Sequence, residues 1–513
     1  MLAKVRSGAV YGIEAYLVEV EIDISQGLPS FSTVGLPDVS VKESRDRIKA
    51  AIKNSGLKFP SKRITVNLAP AGIKKEGAAF DLPMAVGILA AQDLVSRDKL
   101  PSHLLVGELS LDGLLRPIKG ALPMAVIARE HGLEGIVLPR ENQQEAAVVK
   151  EMRVYGLRSL PEVMQFLNGE IRVEPASLDV EAVFAQGSQY DVDMADVHGQ
   201  EHVKRALEVA AAGGHNILFM GPPGAGKTML ARRLPTILPP LHLEEAVVTT
   251  KIYSIAGMLP PETALLATRP FRSPHHTISD VGLVGGGNIP RPGEVSLAHN
   301  GVLFLDELPE FKRGALEALR QPLEDGVVTI SRALTSITYP ARFMLAAAMN
   351  PCPCGYLNDP RRECYCTPSQ IHHYFSRISG PLLDRIDIHV EVPPLKYQEI
   401  ARGEAKDGSA AIAERVRRAR DIQGERFSKH KIFCNAHMGS RHLRKFCILK
   451  GEAEELLGSA MERLGFSARA HDRILKVART IADLAGCEAI DAEHVAEAIQ
   501  YRSLDRSPAY FGR

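Results

Sequence analysis

The chain has 513 residues, which is too long for one hydrophobic core and predicts about three domains. Its composition, 45% hydrophobic and 24% charged, is typical of a globular protein, and the formal net charge of +1 leaves nucleic-acid binding to be judged from local charge. No apolar run reaches the roughly 18–20 residues that cross a bilayer, and charged residues interrupt the N-terminal segment, which excludes a secretory signal. We therefore expect a cytoplasmic protein with no membrane partner.

The first region, residues 1–168, alternates strand-like and helix-like patterns. From Val18 to Ile24 apolar residues alternate with acidic ones, which predicts a half-buried strand. Arg63 to Leu68 predicts a second strand, and Leu82 to Gln92 predicts a mostly buried helix. Residues 169–195 form a mixed acidic stretch that we expect to be a linker.

The second region, residues 196–394, carries the pattern G-x-x-x-x-G-K-[ST] between a short apolar strand and a helix. The matching residues are Gly221, Pro222, Pro223, Gly224, Ala225, Gly226, Lys227 and Thr228. Glycines let backbone N–H groups turn towards phosphate oxygens, and the helix N-terminus favours negative charge. Lys227 would reach the β- and γ-phosphates of ATP, and the Thr228 hydroxyl would hold Mg²⁺.

Two further strands of this region end in polar residues. The apolar run Val302–Leu305 leads into Asp306 and Glu307. After a phosphate loop, Asp306 would help to hold Mg²⁺ and Glu307 would act as general base, although strand-end acids are commonly solvated charge. The strand Phe343–Met349 ends at Asn350, which would place an amide beside the γ-phosphate or simply form a turn.

The third region, residues 395–513, has amphipathic helical runs and the size of a helical lid. Between Arg415 and Lys450 we count eleven Lys and Arg against two Asp and Glu. This basic stretch is either a surface that faces phosphates or a solvated helical face.

Four of the seven cysteines crowd into one segment, directly after Asn350. They are Cys352, Cys354, Cys364 and Cys366. Four thiolates can hold tetrahedral Zn²⁺, but the C-x-C pairs depart from the usual C-x₂₋₄-C spacing. Reduced cysteines in a loop are the alternative.

Together these motifs resemble the AAA+ ATPases, and within them the magnesium-chelatase and MCM-like branch. Asp196–Gln200 resembles the segment that borders adenine, and Ser379–Asp387 resembles the arginine-finger motif. By that resemblance Arg385 acts in a neighbouring subunit's site, and Arg469 is the lid's sensor arginine. The alternative for Arg385 is an ordinary helix salt bridge with Asp384 or Asp387, and the alternative for Arg469 is an ordinary arginine in a helix that is rich in arginine. An arginine finger implies a ring, and the family implies a homo-hexamer.

The same branch suggests two candidates for DNA contact. Residues 327–339 predict a hairpin with Arg332 near its tip, similar to the pore hairpin of MCM-like motors. The segment 269–300, which contains Arg272 and the pair His275 and His276, resembles the helix-2 insert of that branch. Surface charge is the alternative for Arg332, and the histidine pair is as well explained by packing as by ligand binding.

The first region resembles the Lon-protease-like domain, of ribosomal-protein-S5-domain-2-like fold. Residues 74–81 and 107–120 carry the likeness. In the alignment Ala79 stands at the nucleophilic serine and Leu122 at the catalytic lysine, so the peptidase reading fails on chemistry. The resemblance therefore implies an α/β multidomain protein: a Lon-like α+β domain, an AAA+ α/β core and a helical C-terminal lid.

This domain order, with GVLFLDELPEF and NPCPCG, resembles the YifB/ComM family of competence-associated ATPases. The resemblance implies an ATP- and Mg²⁺-dependent hexameric motor that acts on single-stranded or branched DNA and promotes branch migration in recombination of incoming DNA. The alternative is a chelatase-type remodeller of a protein or metal-cofactor partner.

Overall fold

A computed structural model of the chain describes residues 1–75, 77–187, 190–260, 263–287, 290–332, 335–359, 361–394, 407–430 and 432–502. The chain divides into two compact units. The first contains residues 1–187 and 242–267, and the second contains residues 188–241 and 268–513. No described helix has both the length and the apolar character needed to cross a membrane.

The first unit is built on a seven-stranded mixed sheet of order β3-β4-β2-β1-β5-β8-β9. Its strands are β1 (Leu2–Tyr11), β2 (Glu14–Ser25), β3 (Ser30–Val34), β4 (Arg63–Ala69), β5 (His103–Leu105), β8 (Gly135–Pro139) and β9 (Arg153–Leu157), with β6 (Glu108–Leu109) and β7 (Leu115–Arg116) as a separate ribbon. Its helices are α1 (Val39–Asn54), α2 (Asp81–Ala90), α3 (Ala121–Glu130), α4 (Gln143–Ala146), α5 (Leu160–Asn168), α6 (Val180–Gly187) and α9 (Leu243–Ala256).

The alternating segment Val18–Ile24 lies in β2, as its pattern predicts, with its apolar side chains buried. The predicted strand at 63–68 is β4, and the predicted buried helix at 82–92 is α2, every residue of which is buried. The local patterns therefore located these three elements to within a few residues.

The second unit has a five-stranded parallel sheet of order β11-β14-β17-β10-β18. Its strands are β10 (Ile217–Met220), β11 (Phe271–Arg272), β12 (Gly285–Gly286), β13 (Arg291–Pro292), β14 (Val302–Leu305), β15 (Val327–Arg332), β16 (Thr335–Pro340), β17 (Met344–Met349) and β18 (Ile388–Glu391). Its helices are α7 (Glu201–Gly213), α8 (Lys227–Ile237), α10 (Asp280–Val284), α11 (Glu294–Leu297), α12 (Arg313–Ala318), α13 (Arg320–Asp325), α14 (Pro368–Ser376), α15 (Gly380–Leu383), α16 (Ser409–Phe427), α17 (Ser440–Phe446), α18 (Glu452–Leu464), α19 (Ala468–Ala485) and α20 (Ala492–Gln500).

The central strands β10, β14 and β17 are buried at every position, which is typical of a parallel sheet covered on both faces. One hydrophobic core joins sheet residues such as Ile217 with residues of the C-terminal helices such as Ile474 and Val495. Residues 407–430 and 432–502 are helical apart from their connections, as predicted. Residues 395–406 and 503–513 of the expected lid lie outside the described residues.

The two compact units divide the chain differently from the boundaries expected from sequence. Residues 242–267, expected within the ATPase core, belong to the first unit. There Lys251 of α9 forms an ion pair with Glu14 at 2.6 Å, and the Ser254 hydroxyl donates to buried Glu145 at 2.5 Å. The expected linker 169–195 also contains α6, whose first turn is capped by Asp179.

Candidate active site

The phosphate loop follows β10 and enters α8, in the order that the motif predicts. Gly224 and Gly226 have φ values of +77° and +90°, a region that side chains disfavour. A Cβ atom on Gly221 would lie 2.2 Å from the carbonyl oxygen of Val392, which leaves no room for a side chain. Each glycine is therefore required by the backbone path of the loop, and that path fits a bound phosphate.

Lys227 is buried at the base of this loop. Its ammonium donates to the carbonyl oxygens of Gly221 at 2.6 Å and Pro222 at 3.0 Å, and to Oδ1 of Asn350 at 3.0 Å. Burial lowers the pKa of Lys227, and the nearby charges of Asp306 and Glu307 oppose that shift. The amine thus lies where a phosphate charge would stabilise its protonated form.

The Thr228 hydroxyl donates to Oδ2 of Asp306 at 2.6 Å. Asp306 directly follows β14, and the order β14-β17-β10 brings the carboxyl ends of the three strands together. A hydroxyl and a carboxylate are the protein oxygens that Mg²⁺ accepts beside phosphate and water, so the pair fits the metal. Asn350, at the end of β17, completes the group through its contact with Lys227.

Glu307 lies next to Asp306 with its backbone at φ +54°, which turns the chain sharply after β14. Its Oε2 atom is 3.1 Å from Nδ1 of His276. The ring of His276 packs against that of His275, with centroids 4.1 Å apart. His276 thus contacts the carboxylate that we expect to be the general base, a contact that sequence patterns did not reveal because the two residues lie 31 positions apart.

Gln200 is a second contact that the sequence did not reveal. It is buried, has φ +56°, and donates its amide to the carbonyl oxygen of Ala225 at 3.0 Å and to that of Pro393 at 3.1 Å. The residue ends the segment 196–200 that resembles an adenine border, and it ties that segment to the phosphate loop. No pattern in the sequence predicted the positive φ of Gln200.

Arg385 and Arg469 lie together, away from the phosphate loop. Nη1 of Arg469 is 3.3 Å from Asp384, the neighbour of Arg385, and the two arginines line one cleft. The backbone N–H of Asp387 bonds to Asn216, which precedes β10, whereas the loop follows β10. This strand of four residues separates the two ends by about 13 Å. The structure therefore does not bring Arg469 to its own chain's phosphate loop.

The guanidinium of Arg385 is buried, with an ion pair to Glu324 and a 2.5 Å bond to the carbonyl oxygen of Pro381. Its Nε atom is buried without a hydrogen-bond partner. The ion pair is made with Glu324 of α13, whereas the salt-bridge alternative considered from sequence was an acid of its own motif. Arg385 is thus held within its own chain in this structure.

The four clustered cysteines come together in space. The Sγ atom of Cys352 is 3.3 Å from that of Cys354 and 3.7 Å from that of Cys364. All four Sγ atoms, including that of Cys366, lie within 4.8 Å of one another. Such a group could bind a metal ion.

The candidates for DNA contact differ in their surroundings. Residues 327–332 and 335–340 pair as an antiparallel hairpin, and Arg332, the last residue of the first of these strands, is exposed. Arg272 instead makes a two-bond ion pair with Glu294, at 2.6 and 2.8 Å.

The basic stretch is partly neutralised within the chain. Arg415 pairs with Glu208, and Arg426 pairs with Asp483, which is fully buried. The exposed positive charge of this stretch is therefore smaller than its number of Lys and Arg residues indicates.

In the first unit, Ala79 lies in a short turn and Leu122 lies buried in α3. The backbone N–H of Leu122 donates to Glu145 at 2.8 Å. Neither side chain can supply a nucleophile or a base, so the chemistry of a serine–lysine peptidase is missing at these two positions.

Three family models match the chain, and together they span most of it. Residues 20–142 match the model described as subunit ChlI of Mg-chelatase, and residues 193–400 match magnesium chelatase, subunit ChlI. Residues 406–502 match the C-terminal model of the same subunit.

Full-length relatives are also similar. The chain is 46% identical over 509 residues to competence protein ComM of Haemophilus influenzae, with 98% of each chain covered. It is 44% identical over 510 residues to the protein YifB of Escherichia coli, again with 98% of each covered. A shorter match, 27% identical over 187 residues, is to Lon protease 2 of Bacillus subtilis and covers 33% of this chain and 32% of that one.

Proposed function

Because the chain belongs to the YifB/ComM family of magnesium-chelatase-like proteins, we propose that it is an ATP-hydrolysing AAA+ motor that acts on DNA. The proposal of ATPase activity rests on one observation. The side chains of Lys227, Thr228, Asp306 and Asn350 lie together at one edge of a parallel sheet. The DNA substrate rests on the relative named competence protein ComM, since taking up DNA is what competence means.

In this proposal each residue at that edge of the sheet has one role in ATP hydrolysis. The loop's N–H groups and Lys227 bind the phosphates, and Thr228 with Asp306 would hold Mg²⁺, which neutralises phosphate charge when bound. Glu307 takes the proton of the attacking water, and Asn350 orients that water. Hence Lys227→Ala should lose nucleotide affinity, whereas Glu307→Gln should bind ATP and hydrolyse it far more slowly.

We propose further that the working form is a homo-hexamer in which Arg385 and Arg469 face the nucleotide of a neighbouring subunit. Their shared position at the far end of β10 supports this, because neither lies at its own phosphate loop. A guanidinium placed there would neutralise charge that builds on the transferred phosphoryl group. The ion pair between Arg385 and Glu324 must then open when the ring forms.

The domain roles follow the same family. Residues 1–168 would be a Lon-like domain without peptidase activity, 196–394 the ATPase core and 395–513 a helical lid. We propose Arg332 as a contact to the DNA backbone, because it is exposed on a hairpin of the motor. Arg272 is proposed as a DNA contact only in a state that opens its ion pair with Glu294.

We also propose that the metal of the four-cysteine cluster is Zn²⁺. Thiolates are the ligands that structural zinc sites use, and four of them close the coordination sphere without water.

ATP hydrolysis measured with and without single-stranded and forked DNA tests the motor, with Glu307→Gln as the blank. We expect DNA to stimulate hydrolysis by the wild-type chain, and strand displacement and branch migration to require ATP. Hydrolysis indifferent to every DNA would contradict the DNA motor. It would favour the second candidate, a chelatase-type remodeller of a protein or cofactor partner, which the three family models support.

A further inference from the structure

The Sγ atoms of the four-cysteine cluster have the spacing of a tetrahedral metal site. With Zn–S bonds of about 2.3 Å, the sulfur–sulfur edge of the tetrahedron is about 3.8 Å. The described distances are 3.3 Å between Cys352 and Cys354, 3.7 Å between Cys352 and Cys364, and 3.6 Å between Cys354 and Cys364. A disulfide requires about 2.05 Å, so these thiols approach one another without bonding.

The two cysteine pairs are also joined through the backbone. The N–H of Cys354 donates to Sγ of Cys366 at 3.4 Å, so the first pair orients a sulfur atom of the second. Hydrogen bonds to sulfur stabilise a thiolate, which is the form that binds metal.

A second group of possible metal ligands lies elsewhere in the chain, but its geometry does not suit a metal ion. Cys487, Asp491 and His494 also lie within 4.8 Å of one another. There Nδ1 of His494 accepts the backbone N–H of Asp491 at 3.0 Å, so the neutral ring carries its proton on Nε2 and offers no free lone pair. His494 caps a helix, and the four-cysteine cluster is the better metal site.

The cysteine loop, residues 351–359 and 361–367, leaves the active-site strand and lies against the phosphate loop. Cys352 is two residues beyond Asn350, whose Oδ1 atom contacts Lys227. Gly355 directly follows Cys354 and has φ +85°. A Cβ atom on Gly355 would lie 2.5 Å from Cδ of Pro223, so the backbone of the cysteine loop packs directly on the phosphate loop.

The other end of the cysteine loop returns to the same asparagine. Thr367, next to Cys366, caps α14 through a bond to the N–H of Gln370. Tyr374 of α14 is buried, which raises the pKa of its hydroxyl, and the backbone of Asn350 lies close enough to oppose that shift. Asn350 therefore has neighbours at both ends of the loop that the four cysteines close.

The geometry points to a zinc-held brace: one Zn²⁺ bound by Cys352, Cys354, Cys364 and Cys366 fixes Asn350 and the phosphate loop in their relative positions. This inference rests on the proposed ATPase, because fixing Asn350 matters through the water that it orients. A displacement of about 1 Å at such a residue can slow a reaction by up to about 100-fold. Loss of the metal should thus lower kcat more than it weakens nucleotide binding.

The experiment uses the full-length chain purified without chelators. Zinc content is measured by elemental analysis, and cobalt-substituted protein is examined for thiolate-to-metal absorption. Cys364→Ser removes a half-exposed ligand and Cys487→Ser is the matched control, since it removes a half-exposed thiol outside the cluster. We expect about one zinc ion per chain, closing one four-thiolate site, in the wild type and the control, and none in Cys364→Ser. The latter should show kcat at least ~10-fold lower, with nucleotide affinity within about threefold of wild type.

Each other outcome is decisive. Wild-type chain that binds neither zinc nor cobalt overturns the metal site. Zinc that is lost in Cys364→Ser with unchanged kcat overturns the brace and leaves the ATPase standing. Wild-type chain that holds zinc but hydrolyses no ATP, with or without DNA, overturns the motor and the brace while the metal site stands. If Cys364→Ser fails to fold, removing zinc from wild type with a chelator and restoring it must lower and recover kcat.

Discussion

Lys227 has three oxygen acceptors for its ammonium group, and one of them is the side chain of Asn350. A single lysine thus connects the phosphate loop with the end of β17. Because burial lowers the pKa of Lys227, the site gains from any negative charge that enters it. At this scale the residues of the proposed nucleotide site contact one another directly.

The contact between His276 and Glu307 makes the first prediction. The ring of His276 lies 3.1 Å from one oxygen of the Glu307 carboxylate, so that oxygen is not free to take a proton from water. His276→Ala should therefore raise the DNA-independent kcat by about two- to fivefold, with KM for ATP nearly unchanged. Steady-state hydrolysis checks this, with His275→Ala as the control because His275 bonds to Thr277. A fall in kcat would show instead that His276 holds Glu307 in its productive position.

Asp483 makes the second prediction, which concerns stability. This carboxylate is fully buried, and Arg426 binds it through two bonds of 2.7 and 2.5 Å. Arg426→Ala leaves Asp483 with its contacts to Arg479 and Asn435 only, and should cost about 2 kcal/mol of unfolding free energy.

The matched control for Arg426→Ala is Arg417→Ala, on the same helix α16. Arg417 pairs with the exposed Glu414, and such surface pairs contribute less than about 1 kcal/mol. Thermal unfolding followed by circular dichroism compares the two. Equal midpoints would mean that the other partners of Asp483 compensate fully for the loss of Arg426.

At the scale of elements, the hairpin of β15 and β16 in the second unit carries an exposed arginine, Arg332. Reversal of that charge in Arg332→Glu should reduce DNA stimulation of hydrolysis at least ~10-fold and weaken its dependence on salt concentration. DNA-independent hydrolysis should remain, because Arg332 lies outside the nucleotide site.

The control for Arg332→Glu is Arg172→Glu, which reverses an arginine that is 90% exposed in the first unit. It should leave DNA stimulation within about twofold of wild type if bulk charge is unimportant. A similar loss in both variants would contradict a specific role for the hairpin.

Sequence patterns predicted the elements of this molecule well where the signal is local. The phosphate loop, β14 with its two acids and the hairpin each follow from a few adjacent residues, and the structure contains all three. The placement of residues 242–267 was not predictable in this way, because it depends on distant partners such as Glu14 and Glu145. The contact of His276 with Glu307 is non-local for the same reason.

At the scale of the whole molecule, two sets of proposed functional residues lie at opposite edges of one sheet. Lys227 and Glu307 lie at the carboxyl edge of the sheet, whereas Arg385 and Arg469 lie together near its amino edge. If Arg385 and Arg469 act on a bound nucleotide, as we propose, that nucleotide must belong to a second copy of the chain, because both lie far from their own phosphate loop. The ring that the family resemblance implies is one arrangement that would bring them to a neighbour's site.

The last prediction tests this arrangement with mixed rings. Arg385→Ala should lower hydrolysis at least ~100-fold, because an arginine that acts on a neighbour's phosphates contributes about 10³- to 10⁵-fold to the rate. Glu307→Gln should be equally inactive.

In an equimolar mixture, an Arg385→Ala subunit keeps Glu307 and a Glu307→Gln subunit keeps Arg385. In randomly mixed rings about half of all interfaces join one subunit of each kind, and half of those combine an intact Glu307 with an intact Arg385. About one interface in four is then active, so hydrolysis should return to about a quarter of the wild-type rate. Mixing Arg385→Ala with Lys227→Ala gives the same complementation if affinity and chemistry are separable. A mixture no more active than its components would mean that Arg385 serves its own chain. Its ion pair with Glu324 would then be the structural role that this arginine performs.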